Sequence, residues 1–424
     1  MLGRIEWAAC GGSRVTLSVL VWLLWASFVS SFAQSPVSGD HPPLTDILSK
    51  LESNETSDAE RLIEENQPKV KEQLEAVLET IDRDFDALGL YGATSYKLGP
   101  GYQPLAESSR RYQRVFELYG RRSGDDAPYK KLEARRLRIE GADLTNRGEI
   151  VCGEKLDWGA AQPLYQMAME RLEAAFDLAS ELNDFRVMAS AKNNMGSTLS
   201  RLGKPDEAIK AYSEGLQYAE KLPDDLYKGL LRLNLGNAYA WIGKPEEALT
   251  YLRPALDIFK RMDQRTWEAN VLMTIGNAYL REQKFADSWE NLNLALEMAK
   301  QSGENRVRGR ALLNLGMAGL QLQKKEAIPV LEEALQWYDQ DAGKEVYVPI
   351  EREFVRQDGL RLLSQVAREL GDDALARKYT SQFFESIGPN RDRYQTLRQS
   401  PCFEIYRARP QAVKPMIPIP VPGK

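Results

Sequence analysis

A short motif ending in glycine recurs every 40 residues through the middle of this 424-residue chain. The four copies are Asn193-Asn-Met-Gly196, Leu233-Asn-Leu-Gly236, Met273-Thr-Ile-Gly276 and Leu313-Asn-Leu-Gly316. Repeats of this length stack side by side into a solenoid instead of wrapping one central core. Because solenoids present long grooved surfaces, the repeat favours binding over catalysis as the function.

Other positions keep fixed offsets from these four marked glycines, and they predict a hairpin of two helices in each copy. Small residues at a helix crossing let the two axes approach, because a larger side chain would force them apart. The turn between the two helices is predicted at Gly203, Gly243, Gln283 and Gln323. Small residues follow in the second helix at Ala208, Ala248, Ser288 and Ala327. Turn formers at Asn183, Pro223, Asp263 and Gly303 close the units.

This pattern resembles the tetratricopeptide repeat family. Leu-Gly is followed three residues later by an aromatic residue, Tyr239 or Tyr279, and the second helix carries small, large and small residues in turn. The family unit is usually about 34 residues, and the longer period here is similar to the subclass found in kinesin light chain. The resemblance implies an all-α fold, a right-handed α-solenoid of stacked antiparallel helix hairpins. It covers residues 129–388, strongly in 187–340 and as degenerate repeats at both ends.

The end repeats are expected to be atypical, because a terminal unit covers an apolar face without a neighbour. Upstream, Gly141 and Gly148 match a first helix, but about 15 inserted residues precede the second helix at Ala168. Downstream, residues 357–386 keep the offsets of the strong copies. Pro254 and Pro329 fall in second helices, and each is expected to kink its helix.

Residues 1–33 have the pattern of a secretory signal peptide. Arg4 and Arg14 precede an apolar run over 15–32, and the small residues Ser31 and Ala33 stand before Gln34. The sequence therefore predicts export to a periplasm, a lumen or the extracellular space. An uncleaved membrane anchor remains the alternative, since about 18 apolar residues can just span a bilayer.

Three further segments flank the array. Residues 34–57 are polar and are predicted to form a flexible leader, and residues 58–128 form an N-terminal helical region that breaks or kinks at Pro68. A connecting loop is expected at Gly89, Gly92, Gly99 and Gly101. Residues 389–424 form a proline-rich tail, extended as polyproline II from Arg409 onward.

Catalytic chemistry finds little support in this sequence. The only histidine, His41, lies in the predicted leader, away from any candidate nucleophile. No cluster of His and Cys has metal-ligand spacing. Cys152 and Cys402 lie near opposite ends of the array, so two separate thiols are expected rather than a disulfide. The sequence predicts a protein that is not an enzyme and needs no cofactor.

Positions on the first helices supply the candidate binding residues. In the family that this chain resembles, such positions line the concave groove. An asparagine carboxamide both donates and accepts hydrogen bonds, so a row of asparagines can pair with an extended peptide. The alternative is that Asn194, Asn234 and Asn314 serve contacts between adjacent helices. The groove candidates are Asn193, Asn194, Arg201, Asn234, Asn237, Trp241, Asn270, Asn277, Arg281, Arg310 and Asn314.

Charge narrows the class of partner. The net charge of −5 argues against a protein dedicated to nucleic acid, which needs a strong positive field. Basic residues outnumber acidic ones between Arg110 and Arg138. This basic block is either a solvated helix face or a contact with anionic lipid or an acidic partner.

The sequence therefore predicts an exported, non-enzymatic scaffold or assembly factor that binds a protein or an extended peptide. The alternatives are a membrane-tethered adaptor and an accessory solenoid of an envelope enzyme system.

Overall fold

The computed structural model describes residues 42–92, 102–340, 349–387 and 401–404, and every regular element in these ranges is an α-helix. The predicted all-α class is confirmed. The predicted signal peptide, His41 and the proline-rich part of the tail lie outside the described residues. The helices are α1 Leu44–Glu52, α2 Thr56–Glu65, α3 Gln67–Gly92, α4 Tyr102–Ser123, α5 Ala127–Lys155, α6 Trp158–Glu181, α7 Phe185–Arg201, α8 Pro205–Ala219, α9 Leu226–Trp241, α10 Pro245–Arg261, α11 Arg265–Arg281, α12 Phe285–Ser302, α13 Asn305–Gln321, α14 Ala327–Asp339, α15 Pro349–Glu369, α16 Asp373–Ile387 and α17 Pro401–Glu404.

The chain divides into two compact units, and the first ends at Thr80. It contains α1, α2 and the beginning of α3, with Leu44, Ile47 and Ile63 fully buried. The backbone N–H of Leu44 donates to Gln73 Oε1 at 3.1 Å. Residues 44–57, which the sequence assigns to a flexible leader, are mostly helical instead, because their apolar side chains are buried in the core of the first unit.

The break near Pro68 is as predicted. Helix α2 ends at Glu65 and α3 begins at Gln67, so Pro68 occupies the first turn of a new helix, where its missing N–H is tolerated. Gly89 and Gly92, assigned to a connecting loop by the sequence, belong instead to α3, which runs to Gly92. Gly99 and Gly101 lie outside the described residues.

The second unit begins at Ile81 and contains the repeat array. The strong copies are the hairpins α7/α8, α9/α10, α11/α12 and α13/α14, and the degenerate copies are α5/α6 and α15/α16. Gly203 and Gly243 turn each hairpin with left-handed backbone, at φ of 73° and 78°. Gln283 and Gln323 take the same conformation at φ of 59° and 52°. The predicted turns are confirmed, and the last two are made without glycine.

The marked glycines make room for the large residue on the facing helix. A Cβ added to Gly276 would lie 2.6 Å from Leu292 Cγ, and one added to Gly196 would lie 2.5 Å from Tyr212 Cε1. Real Cβ atoms essentially never come this close. The small residues Ala208 and Ala248 are themselves fully buried in the same hairpins.

The inserted residues of the first repeat lengthen its two helices instead of forming a loop. Helix α5 has 29 residues and α6 has 24, and only Leu156 and Asp157 lie between them. Gly141 faces Leu172 and Gly148 faces Tyr165, so the close crossing extends along both arms. Added turns on the two antiparallel helices preserve this packing, which explains why the offset rule fails while the hairpin persists.

The two prolines differ in position. Pro254 lies inside α10, which continues to Arg261. Pro329 is the third residue of α14, where no intrahelical acceptor is required of its nitrogen. The expectation that Pro329 interrupts the interior of a second helix is wrong, because that helix begins only at Ala327.

Cys152 and Cys402 form a disulfide with a Cα–Cα distance of 5.1 Å, which overturns the expectation of two separate thiols. That expectation assumed that the array keeps its two ends apart. Instead, α15 contacts α5, and the short helix α17 also contacts α5. The last hairpin thus returns to the first, and the cysteines, 250 residues apart in sequence, meet there.

Candidate peptide-binding surface

The first helices of the hairpins, α5, α7, α9, α11, α13 and α15, form one continuous row. Each contacts the next first helix in addition to its own partner, whereas no comparable contact joins successive second helices among the described residues. The side on which neighbouring units approach most closely is the inner side of a curved array. The groove candidates predicted on the first helices therefore belong to this inner row.

Side-chain hydrogen bonds link neighbouring members of the row, and we call these bonds the amide ladder. Asn234 Nδ2 donates to Asn193 Oδ1 at 2.8 Å, joining α9 to α7. Thr274 Oγ1 joins α11 to α9: its one proton is shared between Asn237 Oδ1 at 3.1 Å and the Asn270 carbonyl oxygen of its own helix at 2.9 Å.

The same pattern recurs one unit further along. Asn314 Nδ2 donates to Asn277 Oδ1 at 2.6 Å, joining α13 to α11. Asn234 and Asn314 thus make contacts between adjacent first helices, as the alternative interpretation of these residues holds.

The repeat sets the register of the ladder. Its donors Asn234, Thr274 and Asn314 each stand two residues before a marked glycine. Thr274 was not among the sequence candidates, although this shared offset is the signal that would have identified it. Asn237 is exposed and Asn277 is half-buried, so neither side chain is closed off from solvent, and one hydrogen bond holds the carboxamide of each.

The remaining neutral candidates do not join the ladder. Asn270 Nδ2 donates to the Thr266 carbonyl oxygen of its own helix at 3.0 Å. Asn194 Nδ2 is buried without a hydrogen-bond partner among the described residues. Trp241 is the half-buried last residue of α9.

The three candidate arginines have different surroundings. Arg201 Nε donates to Glu149 Oε1 at 2.6 Å, an ion pair that ties α7 back to α5. Burial lowers the pKa of Arg281 from its ordinary value. Arg281 and Arg310 are both half-buried on α11 and α13. An ion pair already engages Arg201, so Arg201 is a weaker candidate for ligand contact than its position implies.

Two arginines of the basic block are buried in an ion network at the start of the array. Asp82 Oδ2 accepts from Arg135 Nη2 at 2.6 Å, and Asp82 Oδ1 accepts from Arg138 Nη2 at 2.9 Å. The guanidinium of Arg138 lies 3.9 Å from the ring centroid of Phe85. These two arginines stabilise the packing of α3 residues on α5. The exposed arginines of the block, such as Arg110 and Arg121, lie on α4.

The network continues onto the next two first helices. Asp86 accepts from Arg186 Nη1 at 2.9 Å and from the Tyr227 hydroxyl at 2.5 Å. Burial raises the pKa of Asp86, and the nearby Arg138 and Arg186 act against that rise. Sequence spacing gives no sign of this network, because its acidic members stand far from the arginines along the chain.

In the described part of the chain, the His, Cys, Asp and Glu side chains form no group of three that could hold a metal ion. Among its helices, none combines the length and the apolar character needed to cross a membrane.

The geometry defines the class of protein as an α-solenoid of helix hairpins with a polar, hydrogen-bonded inner row. The family model described as tetratricopeptide repeat matches residues 187–261, the first two strong copies. Residues 187–261 therefore match tetratricopeptide repeats, and the stacked hairpins on either side of them continue the same α-solenoid fold.

Several solved structures are similar to this chain at low sequence identity. A signal transduction ATPase with numerous domains from Pyrococcus horikoshii, which has a tetratricopeptide repeat sensor, is similar at TM-score 0.51 and 14% identity, over 80% of this chain and 55% of that one. The quorum sensor NprR from B. thuringiensis is similar at TM-score 0.44 and 17% identity, covering 81% and 97% of the two chains. A Rap protein complexed with competence and sporulation factor is similar at TM-score 0.46 and 15% identity, covering 73% and 79%. No curated protein sequence matches this chain.

Proposed function

We propose that this protein is an exported, non-enzymatic scaffold or assembly factor that binds a protein or an extended peptide along the inner row of first helices. The amide ladder is the observation that carries this proposal. A row of polar side chains at regular spacing suits an extended backbone, which presents peptide groups at regular intervals. Each ladder bond occupies only some of the hydrogen-bond donors and acceptors of a carboxamide, so the others can hydrogen-bond to a peptide.

The ladder also lowers the entropic cost of binding a peptide on this surface. A flexible side chain loses conformational entropy when a ligand immobilises it, and this loss subtracts from affinity. Asn237 and Asn277 already have their orientation fixed by Thr274 and Asn314. The carboxamides of Asn237 and Asn277 are therefore already ordered in the folded protein, so binding a peptide costs little additional side-chain entropy.

Export is part of the proposal. The apolar run at the N-terminus and the small residues before Gln34 favour it. The Cys152–Cys402 disulfide favours the same conclusion, because disulfides persist mainly in oxidising compartments. Contact of the basic block with anionic lipid is the weaker alternative, since Arg135 and Arg138 are buried.

Replacing Asn237 and Asn277 by alanine together tests the binding surface. Peptides selected from a random displayed library on the wild-type protein serve as the probe. We expect the double variant to bind them about 5- to 150-fold more weakly, because each lost hydrogen bond contributes about 0.5–1.5 kcal/mol. Binding is measured by calorimetry, and circular dichroism checks that the helices persist.

The matched control replaces Asn291 and Asn293 by alanine. Both asparagines lie on the second helix α12 and donate within that helix. We expect wild-type affinity for this control. Equal loss of affinity in the two double variants, or no loss in either, would place the ligand elsewhere.

A further inference from the structure

The first helices of the second unit form a closed ring among the described residues. Each of α5, α7, α9, α11 and α13 contacts the next first helix along the chain, and α15 contacts α5 again. No comparable contact joins successive second helices in this part of the chain. The six first helices therefore line the inside of the ring, and the second helices lie outside it.

A covalent bond links the same two ends of the array. Cys152, near the end of α5, is bridged to Cys402, which follows the last hairpin. Their α-carbons lie 5.1 Å apart, although 250 residues separate them in sequence. The first and last hairpins are therefore joined by the packing of α15 on α5 as well as by a disulfide.

The number of helices sets the width of the space that the ring encloses. In a ring of six equal cylinders that touch, the centre lies as far from each axis as neighbouring axes lie from one another. Packed helices have axes about 8–10 Å apart and a radius with side chains of about 5–6 Å, which leaves a space roughly 5–10 Å wide. One extended chain fits in this space. Two strands side by side, with backbones about 5 Å apart, are too wide once their side chains are added.

The amide ladder belongs to the helices that line this ring. Its bonds join α7 to α9, α9 to α11 and α11 to α13. Asn237, one of its acceptors, is exposed, so solvent reaches this part of the row. A ligand that contacts the ladder from inside the ring has to enter through one end of the ring, because the first and last hairpins are joined.

We propose that the inner row binds only a polypeptide with a free end, which enters the ring lengthwise as a single extended chain. This inference rests on the proposed function and narrows it. A loop of a folded protein brings two strands at once, and a segment between two folded domains has no end that can enter. The partner is therefore a terminal peptide or a flexible tail, and not an internal segment of a folded protein.

A peptide with both ends blocked tests this inference on the full, disulfide-linked chain. The probe is a peptide selected from the displayed library, joined at each end to a folded domain of about 100 residues, whose radius of gyration of about 13 Å is too large for the ring. Flexible linkers of about 20 residues, spanning about 25 Å, keep these domains away from the protein surface. We expect the double-ended probe to bind at least about tenfold more weakly than the same peptide joined to one domain at one end only. Calorimetry measures both affinities.

The matched control is a protease site in one of the two linkers of the same probe. Cutting it frees one end without changing the peptide, so the affinity should return to that of the single-domain probe. Equal binding by the intact double-ended probe would overturn the inference while leaving peptide binding in place, and weak binding that persists after cutting would also overturn it. A library that yields no binding peptide would instead contradict the proposed function itself, and this inference with it.

Discussion

At the scale of the residue, the marked glycines explain why the period is maintained. Gly236 lies on α9 where a Cβ would come closer than 3.0 Å to Leu252 of α10. Leu252 is fully buried, so it has no room to move aside. A helical glycine costs about 1 kcal/mol relative to alanine, and the close crossing that it permits offsets this cost.

Replacing Gly236 by leucine should therefore lower the free energy of unfolding by about 1–3 kcal/mol or more, because overpacking forces the helices apart. Urea denaturation followed by circular dichroism measures this loss. The same substitution at Gly159 is the control, since that glycine is helical but exposed. A Gly236→Leu protein as stable as the Gly159→Leu protein would contradict the packing argument.

At the scale of the element, helix α13 begins with a buried carboxyl group. The Glu304 side chain accepts from the Arg306 N–H at 3.3 Å as the N-cap, and the residue is 2% exposed. Burial raises the pKa of Glu304 to about 7, while hydrogen bonds from the backbone of Arg306 and Val307 act against that rise. A capping carboxyl group that is ordinarily ionised at neutral pH therefore has a pKa close to neutral pH in the folded protein.

Because of this raised pKa, the contribution of Glu304 to the stability of the protein falls as pH rises. The unfolded carboxyl group ionises near 4.5 and the folded one near 7, so between these values the folded state binds the additional proton. The contribution is fully present below pH 4.5 and is lost as pH rises through 7. We expect it to remove about 2–3 kcal/mol of unfolding free energy between pH 5 and pH 8.

Glu304→Gln tests this assignment, because glutamine keeps an acceptor without a charge. Urea unfolding at pH 5 and at pH 8 should show a smaller decrease in stability for the variant than for the wild type. The difference between the two proteins isolates Glu304 from the other titrating groups. Parallel pH profiles would show that Glu304 does not titrate in this range.

At the scale of the whole molecule, long-range contacts join parts of the chain that the repeat leaves independent. The Asp82 network packs residues of α3 onto α5, and Asp86 reaches α7 and α9 through Arg186 and Tyr227. The disulfide joins residue 152 to residue 402. The first hairpin of the array is thus bonded to residues on both sides of it in sequence. Arg138 pairs with Asp82, which precedes the hairpin, and Cys152 is bridged to Cys402, which follows the last hairpin.

Processing of the N-terminus is the prediction at this scale. Expressed with its signal segment in a cell that exports it, the protein should yield a mature chain starting at Gln34. That chain should carry Cys152 and Cys402 as a linked pair, because the compartment is oxidising. Intact-mass spectrometry and peptide mapping measure both. An intact N-terminus in a membrane fraction would support the tethered alternative instead.

Some features of the fold could be predicted because they depend on local spacing. The turn at Gly203, the buried Ala208 and the Gly196–Tyr212 crossing all follow from one offset rule, since helix geometry fixes which residues meet across a short hairpin. The rule failed in the first repeat, where lengthened arms kept the crossing but changed the offsets. Of the candidate binding residues, the sequence placed Asn237 and Asn277 on first helices but did not show how they are oriented.

The sequence by itself determined the hairpin, its period and the faces that pack, because each of these is settled by residues within about one repeat. Only the tertiary structure decided which distant groups meet. Whether α15 returns to α5, and hence whether Cys402 reaches Cys152, depends on small rotations between units that add up along the array. The amide ladder likewise needs two neighbouring first helices at a particular separation, which the packing of the hairpins sets.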